Sequence, residues 1–351
     1  MQTAWASSLT RDPTGRAERS HAERKRAAQH SSGLKNAPTL HLLYYRRKIL
    51  MNAAIKLLIV FTMVVVCIGI QGGRAQADDG KLRIIVFGAH PDDAEYKAGG
   101  TAAKWAKLGH HVKLVSVTNG DIGHWNTSGG QLAQRRTIES KKVADKLGAV
   151  SEVLDNHDGE LMPTLENRRT IVRLIRQWDA DIVIAHRPWD YHPDHRYVGI
   201  LVQDAAFMVT VPYFCPDTPH LTHNPVFLYA SDRFQKPYPF QADVAVSLDD
   251  VFEQKIDALT ELASQTFEGG AGGSHELVEQ VPQDPAARRE WLKDRWVKRQ
   301  GDEANLHREA LVHLYGEDRG MAVKYAEAFE ICEYGHRPSP AELKNLFPFF
   351  E

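Results

Sequence analysis

The sequence predicts an α/β protein: a Rossmann-like, mostly parallel sheet with helices on both faces and a helical C-terminal extension. Three observations carry this. Short β-branched apolar runs alternate with amphipathic stretches from about residue 82 to residue 209. Glycines punctuate the ends of several runs. The alternation then gives way to long charged stretches in the last third of the chain. Regular strand–helix alternation places crossovers on both faces of a parallel sheet.

In order, Lys81–Phe87 is short, β-branched and followed by Gly88, which marks a buried strand. Gly99–Leu108 is a short helix with Gly109 just past its end. His111–Val117 is the next strand and runs into a glycine-rich loop, Asn119–Gly130. Gln131–Leu147 is a helix stopped by Gly148, and Ser151–Leu154 a short strand. Leu165–Trp178 places Ile171, Leu174, Ile175 and Trp178 on one stripe of a helix. Asp181–Ala185 is a strand, His195–Val209 a helix, and Val226–Tyr229 and Ala242–Val246 are later strands. Leu248–Ser264 and Ala286–Leu314 read as charged amphipathic helices separated by the flexible Gly269–Gly273 loop. The loop after the first strand, Gly88-Ala89-His90-Pro91, lacks the glycine triplet of a dinucleotide site, so no nicotinamide cofactor is expected.

The formal net charge of −2 conceals a split. Residues 1–50 carry +7, and residues 78–351 carry 31 Lys/Arg against 42 Asp/Glu. Such a basic head raises nucleic-acid or membrane contact, but a plainer reading is available. Met51–Lys56 opens a secretory leader with Lys56 as its charged head. Leu57–Ile70 is a fourteen-residue apolar run, and Arg74-Ala75-Gln76-Ala77 ends in the small-x-small pattern of a cleavage site. A membrane span needs roughly 20 residues, so the expectation is cleavage near Ala77 and export to the periplasm or beyond. An uncleaved anchor is the alternative. Residues 1–50 then read as mis-assigned upstream translation or a disordered arm. The core is expected over 78–268 and the helical extension, packed on it, over 269–351. No nucleic-acid partner and no stable membrane insertion of the processed chain are expected. Cys215 and Cys332 are too few for a disulfide framework and could form one bridge or stay as buried thiols.

The chemistry concentrates in two segments, each following a strand: Ala89-His90-Pro91-Asp92-Asp93-Ala94-Glu95, and His186-Arg187-Pro188-Trp189-Asp190-Tyr191-His192-Pro193-Asp194-His195. Imidazole with carboxylate is the donor set of a catalytic divalent metal. In parallel sheets, ligands gather beyond the carboxyl ends of the strands. Two His-Pro-Asp segments at two such ends suggest one site assembled from two loops. Asp92, just before a helix, could equally serve as an N-cap. Spacing alone leaves Asp92 and Asp93 interchangeable in role. His186 at a strand end reads as structural.

These segments, with Gly99-Gly100-Thr101, Asp158-Gly159 and the Arg136-x-x-Glu139 helix, resemble the signature of the PIG-L/LmbE-type metal-dependent N-deacetylases, from about Leu82 to Ser264. The resemblance implies an enzyme that removes acetyl groups from N-acetylglucosaminyl compounds. It implies zinc, with ferrous iron as an alternative, bound by His90, Asp93 and His195. Asp92 would be the general base, His192 the oxyanion stabiliser or acid, and Asp194 the group orienting His192. Asp121, Trp125 and Arg136 are candidate sugar contacts, although a loop tryptophan also packs on its own loop. The expected partner is a small molecule or glycan carrying an N-acetyl group. The alternatives are another metal-dependent amide or ester hydrolase on the same scaffold, or a non-catalytic sugar-binding module. Intact Asp92 and His192 count against the last, because a binder needs no general base.

Overall fold

A computed structural model describes residues 79–350 together with Arg47, Lys48, Leu50, Met51 and Lys56. The leader-like run 51–77 and the arm 1–50 lie almost wholly outside the described residues. The chain divides after Ala77 into two compact units, and the second, Asp78–Glu351, carries the fold that follows.

Among the described residues, seven strands form one sheet: β1 (Arg83–Gly88), β2 (His111–Ser116), β3 (Val150–Val153), β4 (Ile182–Ala185), β5 (Val226–Ala230), β6 (Val244–Ser247) and β7 (Ala326–Ile331). Their spatial order is β3-β2-β1-β4-β5-β7-β6. The five strands from β3 to β5 are parallel, while β7 runs antiparallel to both β5 and β6. The helices are α1 (Asp93–Lys107), α2 (Gly130–Leu147), α3 (Leu165–Trp178), α4 (Pro193–Met208), α5 (Phe252–Leu259), α6 (Ala263–Thr266), α7 (His275–Gln280), α8 (Pro285–Leu306), α9 (Arg308–Tyr315), α10 (Glu317–Ala322) and α11 (Pro340–Leu346).

Alternate residues of each central strand feed two cores. Ile84, Val86, Leu114, Ile184 and Leu228 pack with Ala98, Ala102 and Trp105 of α1, Val143 and Leu147 of α2, and Ile256 of α5. Ile85, Phe87, Val115, Val183 and Phe227 pack with Ile171 and Ile175 of α3 and Val198 and Leu201 of α4. Strands buried on both sides read as near-continuous apolar runs, which is why they are visible in the sequence.

Two differences from the sequence reading matter. Helix α1 begins at Asp93, six residues before Gly99, so Asp93 and Glu95 lie in its first turn. The segment 269–351 is helical over much of its length, but it also contributes β7, inserted between β5 and β6. A buried ion pair fastens this strand to α1. Glu327 of β7 accepts hydrogen bonds from the backbone of Gly100 and Thr101, from the Thr101 hydroxyl and, at 2.6 Å, from Lys255 Nζ. The terminal aromatics close the same core: Phe347 packs tilted against Trp105 with centroids 5.1 Å apart, and Trp105 Nε1 donates to Leu346 O. Cys215 and Cys332 are both buried free thiols.

Candidate active site

In the order 3-2-1-4-5 the sheet reverses its winding between β1 and β4, and a crevice opens there beyond the strand ends. His90 follows β1 and His186 follows β4. Close backbone approach makes the crevice. A Cβ on Gly88 would lie 2.7 Å from the Asp93 Cβ, and one on Gly199 would lie 2.8 Å from His186 O and Pro188 N. Glycine at these positions lets α1 and α4 start directly against the strand ends. Helix α4 starts at Pro193, with His192 at its N-cap: His192 Nδ1 accepts the Asp194 amide at 3.2 Å.

Three donor atoms converge. His90 Nδ1 lies 3.2 Å from Asp93 Oδ2, His195 Nε2 lies 3.3 Å from the same oxygen, and the two nitrogens are 3.3 Å apart. Ligands about 2.0–2.1 Å from a tetrahedral ion stand about 3.3 Å from one another, so the triangle fits a metal of that kind. Asp93 Oδ2 is aimed by the amides of Ala89 and His90, at 3.0 and 2.8 Å. Overlapping donor groups surround the triangle: His90, His192 and His195; Asp93, His186 and His195; His90, Asp158 and Asp194. His90 Nε2 is 3.1 Å from Asp158 Oδ1 and 3.4 Å from Asp194 Oδ2, yet makes no hydrogen bond.

Electrostatics agree with a cation site. Burial depresses the imidazolium of His90, but Asp158, Asp194 and Asp93 together hold its pKa well above the usual range. His195 behaves likewise: burial opposes, while Asp93 and Asp190 push it up to about 9. The cluster therefore attracts positive charge, which a proton or a metal ion can supply.

The two adjacent aspartates differ. Asp93 meets both histidines. Asp92 occupies the N-cap position of α1 but makes no capping hydrogen bond. Its Oδ1 instead stands 3.4 Å from Arg136 Nη2 at the cavity wall. Burial raises its pKa, Arg136 lowers it and the Asp93 charge raises it, for a net upward shift. His192 is shifted down, by burial and then by His90 and His195, which favours the neutral imidazole.

Four sequence expectations need correction. Asp194 does not orient His192 through a side-chain bond. Its fully buried carboxylate accepts the amides of Gly159 and Leu161, at 2.7 and 3.3 Å. Arg136 lines the cavity but is buried at 2% exposure, and its terminal nitrogens face Gly120 O, Pro91 O, Asp92 and Asp158, so it positions the aspartates. Trp125 is not among the residues lining the cavity. Its ring packs against His124 and, 4.6 Å away, His275, and its amide donates to Gly270 O. Asp121 binds His157 and the Asp158 amide and shapes that loop. His186 is stacked on His195 with centroids 4.2 Å apart, and its Nε2 lies 3.4 Å from Asp93 Oδ2 and accepts the Ala89 amide at 3.3 Å.

Residues the sequence left without a role complete the site. Asp190 Oδ1 is 3.0 Å from His195 Nδ1, the far nitrogen, and also accepts the His192 amide. A carboxylate there fixes the ring that faces the metal position. Asp190→Ala is expected to weaken the affinity for a divalent metal about 10–100-fold, read by competition with a chromogenic chelator; unchanged affinity would deny Asp190 this role. The cavity holds about 870 Å³ and is also walled by Tyr96, Tyr191 and, from α8, Arg295, Lys298 and Arg299.

A Rossmann-like sheet with a carboxylate–imidazole cluster at its switch point defines an α/β protein with a candidate divalent-metal centre. The family model described as "GlcNAc-PI de-N-acetylase" matches residues 85–206. The chain is 33% identical over 189 residues to the diacetylchitobiose deacetylase of Thermococcus kodakarensis, covering 52% of this chain and 70% of that one. It is 24% identical over 192 residues to the 4-oxalmesaconate hydratase of Pseudomonas putida, covering 52% and 73%. Among solved structures, the N,N'-diacetylchitobiose deacetylase of Pyrococcus horikoshii shares the fold with a TM-score of 0.53 at 23% identity, covering 71% of this chain and 83% of that one. The chain belongs to the PIG-L/LmbE deacetylase family.

Proposed function

We propose that the protein is an exported, zinc-dependent N-deacetylase that hydrolyses the acetamide of an N-acetylglucosaminyl-type sugar to acetate and a free amine. The observation that carries this is the triangle of His90, Asp93 and His195 beside Asp92, a carboxylate left uncommitted to capping, in a cavity wide enough for a sugar. His90, Asp93 and His195 would hold the metal; ferrous iron suits the same donors. Bound there, the ion supplies Lewis acidity that polarises the amide carbonyl and acidifies water.

The residues do the rest. Asp92, its basicity raised by burial, accepts the proton of the attacking water and returns it to the leaving nitrogen. Arg136 holds Asp92 in place. His192 has its Nδ1 engaged by the Asp194 amide, so a neutral ring carries its proton on Nε2 and donates it to the developing oxyanion. The similarity to a diacetylchitobiose deacetylase supports the amino-sugar substrate.

The relative named 4-oxalmesaconate hydratase makes hydration the rival reading. Product analysis separates the two: equimolar acetate and primary amine from an N-acetyl sugar support deacetylation, and their absence across a panel of such sugars would refute it. Export rests on the Met51–Ala77 leader pattern. N-terminal sequencing of the protein from its native host should begin at Asp78; a native chain retaining residues 1–50 would overturn that reading. Among the described residues no helix is long and apolar enough to cross a membrane.

A further inference from the structure

The cavity is electrically two-sided. Its floor is the carboxylate cluster, and one wall is a face of α8 bearing Arg295, Lys298 and Arg299 at the i, i+3, i+4 spacing that places side chains together. All three are exposed, and none has a carboxylate partner among the described residues. The acidic groups of the same helix that line the cavity have other cationic partners: Asp302 stands 3.9 Å from Arg233, and Glu303 stands 3.3 Å from His307. The arginines are held by flat apolar surfaces and leave their donors open. Arg295 lies over Trp291 at 3.6 Å, and Arg299 over Trp296 at 4.8 Å and Tyr96 at 5.7 Å. Tyr96 is one helical turn from Asp92, and its amide donates to Asp92 O. The basic wall and the candidate base thus line one cavity, with Tyr96 between them.

We propose that this wall selects substrates: the sugar carrying the acetamide also carries an anionic group, a phosphate or a carboxylate, that Arg295, Lys298 and Arg299 bind while the acetamide lies at Asp92. A guanidinium fork held on an aromatic shelf is suited to either oxyanion. The wall lies on α8, outside the residues matched by the family model. The inference rests on the deacetylase reading for the acetamide, but not for the anion.

Two measurements test it. The first compares kcat/KM for N-acetylglucosamine, its 1- and 6-phosphates and N-acetylmuramic acid. One charged sugar should exceed the neutral one about tenfold or more, through KM. The advantage should shrink as salt is raised, and the ratio should fall towards one in the R295Q/K298Q/R299Q variant, with its melting temperature confirming the fold. The phosphate and carboxylate arms decide which group is read. A ratio near one in the wild type, or a preference that survives in the variant, overturns the proposal. The second measures calorimetric binding of glucosamine 6-phosphate, glucosamine 1-phosphate and muramic acid against glucosamine, which needs no turnover. If no sugar is hydrolysed, the deacetylase reading fails, and this comparison alone decides the wall: tighter binding of a charged sugar, lost in the variant, supports it, and equal binding of all four refutes it.

Discussion

Asp92→Asn is expected to lower kcat by a factor on the order of 10² to 10⁴, the usual worth of a positioned general base, while metal content and melting temperature stay at wild-type values. The asparagine keeps the shape and the neighbourhood of Arg136 but cannot take a proton. Asp93→Asn should behave differently. Its Oδ2 stands within 3.3 Å of both His90 Nδ1 and His195 Nε2, so that variant should lose metal along with activity. Elemental analysis of both purified variants, beside their kinetics, separates the roles. Metal lost from Asp92→Asn and retained by Asp93→Asn would reverse the assignment.

The largest stability effect is expected away from the chemistry, at Lys255. This lysine is fully buried, 2.6 Å from a Glu327 carboxylate that is itself 2% exposed, and its ammonium also donates to Tyr96 O. Burial lowers its pKa and Glu327 opposes that shift. Lys255→Met leaves Glu327 as an uncompensated charge inside the protein, which costs about 3–5 kcal/mol. For a unit of this size, that corresponds to a melting temperature lower by roughly 10 °C. The double variant Lys255→Met/Glu327→Gln should recover part of the loss, because the stranded charge is gone. Thermal unfolding monitored by circular dichroism tests both. A single variant as stable as the wild type would mean that water reaches Glu327 and that the pair does not fasten β7 to α1.

What the sequence displays and what it hides follow from how each feature is built. Strands β1, β2, β4 and β5 are buried on both faces, so their β-branched runs stand out. Strand β7 does not, although Ala326-Glu327-Ala328-Phe329-Glu330-Ile331 alternates: Glu327 reads as solvent-facing, whereas its charge is matched inside the protein by Lys255, 72 residues away. Helix α1 begins earlier than its apolar pattern because the first turn is given over to Asp93 and Glu95. At the site, His90, Asp92, Asp93, His192 and His195 are legible because the two loops carry compact motifs. The partners of those residues are not. Nothing in local spacing pairs Asp158 with His90 or turns Asp190 towards His195 in place of Asp194 towards His192. Trp125 and Arg136 have side chains of the right type in a plausible loop and helix. Their orientation is set by contacts with His275 and with Gly120 and Asp92, which exist only once the chain is folded.

The most direct test of the account is a metal titration. Protein stripped with a strong chelator, and shown by elemental analysis to be metal-free, is titrated with zinc while amine release from an N-acetyl sugar is followed. The account predicts no turnover at the start, a linear rise, and a plateau at one zinc per chain, with ferrous iron able to replace it under anaerobic conditions. Full activity in the metal-free protein would contradict the mechanism at its centre.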